Sequence, residues 1–348
     1  MDDLRDRLLR PLSIGGLDLE RRLFMAPMAG ISGPAFRRSV RRFGAGLVFT
    51  EMIAAQGIVH DNRCTLAYLA CGPDEHPIGF QLFAAEPAAL ALAARACLDA
   101  GADLIDLNMA CPVRKVMKTG AGAALLDAPQ RAADCVKAVV AEVAGAVPVT
   151  VKLRSGVGAG DQAGCLLAPR LVAAGAAAIC LHPRTASQLY RGVADHGLTI
   201  ALAGELPVPL IASGDIAVTG PDERPDRELT ARLLEGGVAA VMVARAALGR
   251  PWVFAELLEG EGAPPLVERR RALALFVDET ASDLGPRAVG YLRRFWPRFR
   301  RSGTLDAAGA ARLMAARDLV TIKSLVRADW SVNGPRAEHG GIGNGKDL

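Results

Sequence analysis

Hydrophobic and polar positions repeat along the first two thirds of the chain as one unit. CLDAGADLIDLN (97–108), LVAAGAAAICLH (171–182) and LLEGGVAAVMVA (233–244) each run from a helix end through a glycine into a short apolar strand. RRFGAGLVFTE (41–51) is a looser fourth copy. Glycine stops the helix because it takes the left-handed conformation at little cost. The strands that follow are apolar without alternation, the pattern of parallel strands buried on both faces. Eight are predicted: Leu23–Ala26, Leu47–Thr50, Ile78–Phe83, Leu104–Leu107, Val149–Leu153, Ala178–Leu181, Leu210–Ala212 and Ala240–Val243. Helical stretches such as PAALALAARACLDA (87–100) and PQRAADCVKAVVAEVAG (129–145) separate most of them. Eight βα units in about 240 residues predict an α/β fold, a TIM (β/α)8 barrel rather than an open doubly wound sheet.

The pattern changes near residue 258. Residues 1–258 are read as the barrel, EGEGAPP (259–265) as a linker, 266–330 as a small helical domain and 331–348 as a flexible, glycine-rich tail. Within PRAVGYLRRFWPRFRR (286–301), Ala288, Leu292, Phe295, Trp296 and Phe299 fall at helical spacing and predict the core of that domain. Pro297 should break or kink the helix. Arg287, Arg293, Arg294, Arg298, Arg300 and Arg301 then line an outer face, either a platform for RNA or a merely solvated one. RRSVRR (37–42) is a weaker basic patch.

Composition narrows the classes. No apolar run reaches the roughly 18 residues of a membrane span. The opening MDDLRDRLLRPL alternates acids and arginines, unlike a signal peptide, so a cytoplasmic protein is expected. Seven cysteines without a CxxC pair argue against a disulfide framework and a structural metal site. The net charge is +4, carried by 35 Arg against 6 Lys. Arginine suits bidentate phosphate contacts, although a simple arginine bias fits the same number.

Active sites of such barrels lie at the C-terminal strand ends. Those ends hold Pro27-Met28, Glu51, Gln81, Asn108 with Cys111, Lys152 with Arg154, His182 with Arg184, the turn Ser213-Gly214-Asp215, and Ala244-Arg245. Lys152 sits in the apolar run VTVKLR, where an unpaired charge is too costly, so it needs an anion, a polar cofactor or a partner such as Glu51. The turns after strands seven and eight form the common phosphate site of this fold. Together these features predict a barrel with a phosphorylated cofactor. Gln81 offers the donor and acceptor that a flavin pyrimidine edge requires, and Lys152 suits the edge where charge accumulates on flavin reduction. LIDLNMACPVRK (104–115) places a lone thiol at a strand mouth between Asn108 and Pro112. An ordinary thiol pKa of ~8.5 keeps it protonated at neutral pH, fit to donate a proton beside a reduced flavin. The electron-poor C5–C6 bond of uracil is a natural acceptor.

The chain resembles the tRNA-dihydrouridine synthases over nearly its whole length. The resemblance is carried by APMAGISGPAFRRSVRRFGAGLVFTEMI (26–53), QLF (81–83), DLNMACPVRKVMKTGAGAALL (106–126), VKLRSG (151–156), HPRT (182–185), SGDI (213–216) and the ARAALGRPW run (244–252). It implies FMN as cofactor, NADPH as reductant and uridine in tRNA as substrate. Cys111 then corresponds to the family's proton donor. Pro27, Met28, Ala29, Gln81, Lys152, His182, Ser213, Gly214, Asp215, Ala244 and Arg245 fall where the family binds FMN. Asn108, Lys115, Arg154 and Arg184 lie in matching motifs and are read as facing the base or the RNA, with Lys118 beside them. The chain departs from the family pattern at Ala110 and Ala244, where glycine is usual, and at Ser213, where asparagine is usual. Other functions compatible with the residues are a flavin barrel reducing a free pyrimidine, a Schiff-base aldolase using Lys152, and a catalytically silent RNA-binding barrel.

Overall fold

The computed structural model describes residues 3–218 and 225–331. The chain forms two compact units, Met1–Pro264 and Pro265–Leu348. The expected tail from residue 332 onward lies outside the described residues.

The first unit is the barrel. Its strands are β1 (Leu23–Met25), β2 (Val48–Phe49), β3 (Ile78–Phe83), β4 (Leu104–Met109), β5 (Val149–Arg154), β6 (Ala178–His182), β7 (Leu210–Ser213) and β8 (Ala240–Val243). They pair in parallel around the ring, β8 pairs with β1, and one bridge between Phe24 and Leu47 closes β1 onto β2. The short strand Ile53–Ala54 extends the edge of β3. Helices Pro34–Arg42, Pro87–Asp99 and Pro129–Val143 each begin on a proline, whose missing N–H lies in the turn that has no internal acceptor.

Several strands run past their apolar stretches. β4 reaches Met109, β5 Arg154, β6 His182 and β7 Ser213. The backbone ladder continues under polar side chains, so the apolar run alone ends each strand too early.

A β-hairpin, Leu12–Ile14 with Leu17–Leu19, was not among the predicted elements. Its signal is nonetheless present: alternating LSI and LDL flank Gly15-Gly16, whose φ values of 53° and 93° make the two-residue turn favoured in hairpins. Ile14 and Leu19 join the barrel core with Phe24, Leu47, Phe49, Leu104, Cys180, Ile211 and Met242. The barrel is therefore apolar at the N-terminal ends of its strands, and its polar interior positions gather at the other mouth.

The second unit is helical: Leu266–Leu284, Ala288–Leu292, Trp296–Arg301, Ala307–Ala315 and Leu319–Ser331. Its core holds the predicted residues: Ala288, Leu292, Phe295, Trp296 and Phe299 are all buried. The Phe276 and Phe295 rings meet edge to face at 4.8 Å. The helix breaks after Leu292, and Pro297 stands in the first turn of the next one.

Ile14→Ala opens a cavity in the barrel core and is expected to destabilise the protein by about 2–5 kcal/mol. Denaturant unfolding of the two proteins measures this, and an unchanged midpoint would mean that the hairpin does not contribute to the core.

Candidate active site at the C-terminal mouth of the barrel

Parallel register decides which side chains meet. Gln81 on β3 is the partner of Asp106 on β4, which pairs with Thr150 on β5. One step higher, Asn108 pairs with Lys152, and at the top Arg154 pairs with His182. Strand partners share a face, so these residues form stacked polar layers inside the mouth.

The lower layer is a connected hydrogen-bond chain. Thr150 Oγ1 donates to Asp106 Oδ1 at 2.7 Å, and Gln81 Nε2 donates to Asp106 Oδ2 at 2.7 Å. Asn108 Nδ2 donates to Gln81 Oε1 at 2.8 Å. Asn108 Oδ1 in turn accepts from the backbone amides of Ala110 at 3.1 Å and Cys111 at 2.9 Å. Burial pushes the Asp106 carboxyl up to about 6, against the lowering effect of Gln81, Thr150 and the Lys152 charge. Asp106 and Thr150 were missed from sequence. Asp106 stands two residues before Asn108 on the same strand face, which was the available signal.

Cys111 sits half-buried on the loop after β4. Besides Asn108, that loop is held by Arg154, whose Nε donates to the Ala110 carbonyl at 2.9 Å, and by Ala123, whose amide donates to the Cys111 carbonyl at 3.1 Å. Gly122 makes the last contact possible: its φ is +62°, and a Cβ there would lie 2.7 Å from the Cys111 carbonyl oxygen. Burial raises the thiol pKa, more than the Val113 amide and Arg154 lower it. A neutral, proton-bearing sulfur results.

The arginines brace loops. Arg154 is 2% exposed and also donates to the carbonyls of Thr185 and Leu189, both at 2.8 Å. Arg184, equally buried, makes a two-pronged pair with Asp215 at 2.9 and 2.6 Å and donates to the Arg191 and Gly192 carbonyls. Burial works against the Asp215 charge, but Arg184 and the Ala194 amide hold its pKa below the usual carboxylate value. Arg184 is thus tied into the strand-six and strand-seven loops. Arg245 is exposed, 3.5 Å from Asp215, with its guanidinium 4.6 Å from the Tyr190 ring centroid. Tyr190, also missed from sequence, has Arg154 on its ring at 5.7 Å.

His182 is buried, and burial together with Lys152, Arg154, Arg184 and Arg245 drives its pKa far down, so the imidazole stays neutral. Its Nε2 accepts from Arg184 at 3.3 Å, which puts the ring proton on Nδ1. Gly214, with φ +98°, packs so closely that a Cβ would lie 2.5 Å from His182 Cδ2. Ser213 is buried beside it. On the first strand's loop, Ser32 Oγ accepts from the Met28 amide at 2.8 Å, and the Glu51 carboxylate accepts from the Gly30 amide. Pro27 and Met28 are half-buried there, and Ala29 is exposed. Neither Ala110 nor Ala244 takes a positive φ, the conformation that would call for glycine. Lys115 and Lys118 are exposed beside the cysteine loop, and a groove of about 500 Å³ there is lined by Pro112, Arg114, Met117, Lys118, Val157, Ala186, Ser187 and Leu189. In the helical unit Arg287, Arg293 and Arg294 are exposed and Arg298 is half-buried. Arg293 also donates to the Ala316 carbonyl at 3.0 Å.

A parallel barrel that gathers a protonated thiol, a neutral imidazole, an ammonium and two braced amides at its C-terminal mouth is built as an enzyme. Residues 24–286 match the family model described as Dihydrouridine synthase (Dus). The chain is 34% identical to tRNA-dihydrouridine synthase B of Pseudomonas aeruginosa, over 84% of this chain and 92% of that protein. It is 38% identical to a probable tRNA-dihydrouridine synthase of Rhodobacter capsulatus, over 73% and 77%. The chain belongs to the dihydrouridine synthase family. Among solved structures, histamine dehydrogenase from Rhizobium sp. 4-9 superposes with a TM-score of 0.58 at 15% identity, covering 74% of this chain and 48% of that one. Morphinone reductase gives 0.52 at 16%, covering 74% and 91%. At these identities the likeness is one of fold.

The raised thiol pKa predicts that Cys111 alkylation by iodoacetamide, followed peptide by peptide in the mass spectrometer, rises with pH to a midpoint above that of a free cysteine thiol measured alongside. A midpoint at or below that of the free thiol would show that burial does not hold the proton on the sulfur.

Proposed function

We propose that the enzyme reduces the C5–C6 bond of uridine in tRNA to dihydrouridine, with Cys111 giving the proton to C5. The observation that carries this reading is the neutral Cys111 thiol, clamped by Asn108 and Arg154 at the barrel mouth. A proton donor must keep its proton until the carbon needs it, and burial does that here.

The mouth fits FMN. Lys152 is 8% exposed, and its ammonium makes no hydrogen bond or ion pair among the described residues. Such an ammonium needs an electron-rich partner, and a flavin carbonyl edge supplies one. Gln81 keeps one N–H and one lone pair beyond its bonds to Asp106 and Asn108, the pair of functions that a pyrimidine edge takes. Gly214 has no side chain to close the turn after β7. When bound, FMN supplies the hydride that C6 receives, after reduction by NADPH.

The chain's own residues do the rest. Lys152 places positive charge where the reduced cofactor is negative, while His182, held neutral, adds a ring donor at Nδ1 without a second charge. Asn108 and Arg154 fix the loop that carries Cys111, and the thiolate left after proton transfer is reprotonated from solvent. Exposed Lys115 and Lys118 beside the loop, and Arg287, Arg293, Arg294 and Arg298 of the helical unit, supply phosphate contacts for RNA. A uridine in folded RNA must leave its stack to enter the mouth. No helix among the described residues is long and apolar enough to cross a membrane, in keeping with a cytoplasmic tRNA-modifying enzyme.

Cys111→Ala is expected to keep flavin and tRNA binding and to lose ~10²–10⁴ of the turnover, read as single-turnover reoxidation of the reduced enzyme by unmodified tRNA. Turnover at the parent rate would remove Cys111 as the acid. Lys152→Ala is expected to lose FMN or to slow its reduction by NADPH, and unchanged behaviour in both would take the lysine out of the cofactor site.

A further inference from the structure

We propose that Asp106 is a positioning residue for Cys111: it sets the polarity of the Gln81–Asn108 chain, which clamps the backbone of the cysteine loop. The inference rests on the reading of Cys111 as the proton donor and extends it to a residue that touches neither cofactor nor base.

Hydrogen-bond polarity decides how the chain is arranged. Gln81 and Asn108 carry amides that can flip, exchanging a donor for an acceptor. At one end of their chain stand the N–H groups of Ala110 and Cys111, which only donate. Asn108 must therefore turn its oxygen to them and its nitrogen to Gln81. Gln81 must then turn its oxygen to Asn108 and its nitrogen to Asp106. At the far end the carboxylate only accepts, and Thr150 holds its second oxygen. Obligate donors at one end and an obligate acceptor at the other leave one arrangement that satisfies every group. All four side chains are buried, so a wrong flip is not rescued by water.

Without the acceptor, Gln81 loses its anchor, and Asn108 loses the partner that holds its oxygen on the loop amides. Asn at position 106 keeps an acceptor for Gln81 and offers its nitrogen to the Thr150 hydroxyl, so polarity survives without the charge. Leu removes the acceptor at similar size.

The test compares parent, Asp106→Asn and Asp106→Leu as full chains. Hydrogen exchange by mass spectrometry reports the loop that holds Ala110 and Cys111, and iodoacetamide labelling at pH 8 reports the thiol. Asp106→Leu is expected to speed loop exchange at least tenfold and Cys111 labelling at least threefold, with exchange in β6–β8 unchanged. Asp106→Asn is expected to stay within threefold of the parent in both. In the cofactor-loaded enzymes, kcat falls at least tenfold for Asp106→Leu while KM for tRNA is unchanged. Parent-like loop exchange in Asp106→Leu, or equal loosening in both variants, would overturn the proposal. If Asp106→Leu does not fold, Gln81→Met cuts the chain one link further on: loosened exchange supports the proposal and parent-like exchange overturns it. Exchange and labelling need neither FMN nor RNA, so their failure is distinct from a failure of the proposed reaction.

Discussion

The mouth of this barrel depends on one buried constraint, the hydrogen-bond chain from the Asp106 carboxylate to the backbone of the cysteine loop. Its links come from two neighbouring strands, with Thr150 of a third on the same carboxylate, and exist because parallel register sets Gln81 beside Asp106, and Asp106 beside Thr150. A slip of one residue in any strand would turn its member of the chain outward. Barrel closure, strand register and the placement of the thiol are therefore one requirement. The carboxylate is disfavoured by its own burial, yet its partners are donors fixed by the fold.

The same interior is divided along the barrel axis. Apolar side chains and the N-terminal hairpin fill one end, and polar layers occupy the other. Cations in the polar half serve two purposes. Arg154 and Arg184 are consumed by carbonyls and by Asp215, so they hold loops together. Lys152 makes no such contact among the described residues, and it is the cation proposed to meet the flavin. That division explains how a strongly basic mouth retains a neutral thiol and a neutral imidazole: the thiol is governed by burial, and the imidazole by burial reinforced by the neighbouring positive charges.

Much of this was legible in the chain. The glycine-to-strand repeats marked four of the eight barrel strands and the unalternated apolar runs marked the other four, while the strand ends pointed to Gln81, Cys111, Lys152 and His182. What escaped had physical reasons. Apolar runs end where polar interior positions begin, so β4 and β5 were cut short at Leu107 and Leu153, before Asn108 and Arg154 joined the ladder. The hairpin passed unnoticed because its strands have three residues each. Asp106 was hidden inside an apolar strand, where its role depends on a partner 25 residues away. Arg184 read as a base-facing or RNA-facing cation because a motif gives residue type, and only the fold reveals that Asp215 already holds it.

Flavin-dependent reduction of uridine in tRNA is open first of all to the absorbance spectrum of the gently purified protein. Flavin bands are expected that bleach on addition of NADPH and return with tRNA lacking dihydrouridine, but not with free uridine. A colourless protein that cannot be reconstituted with FMN would contradict it.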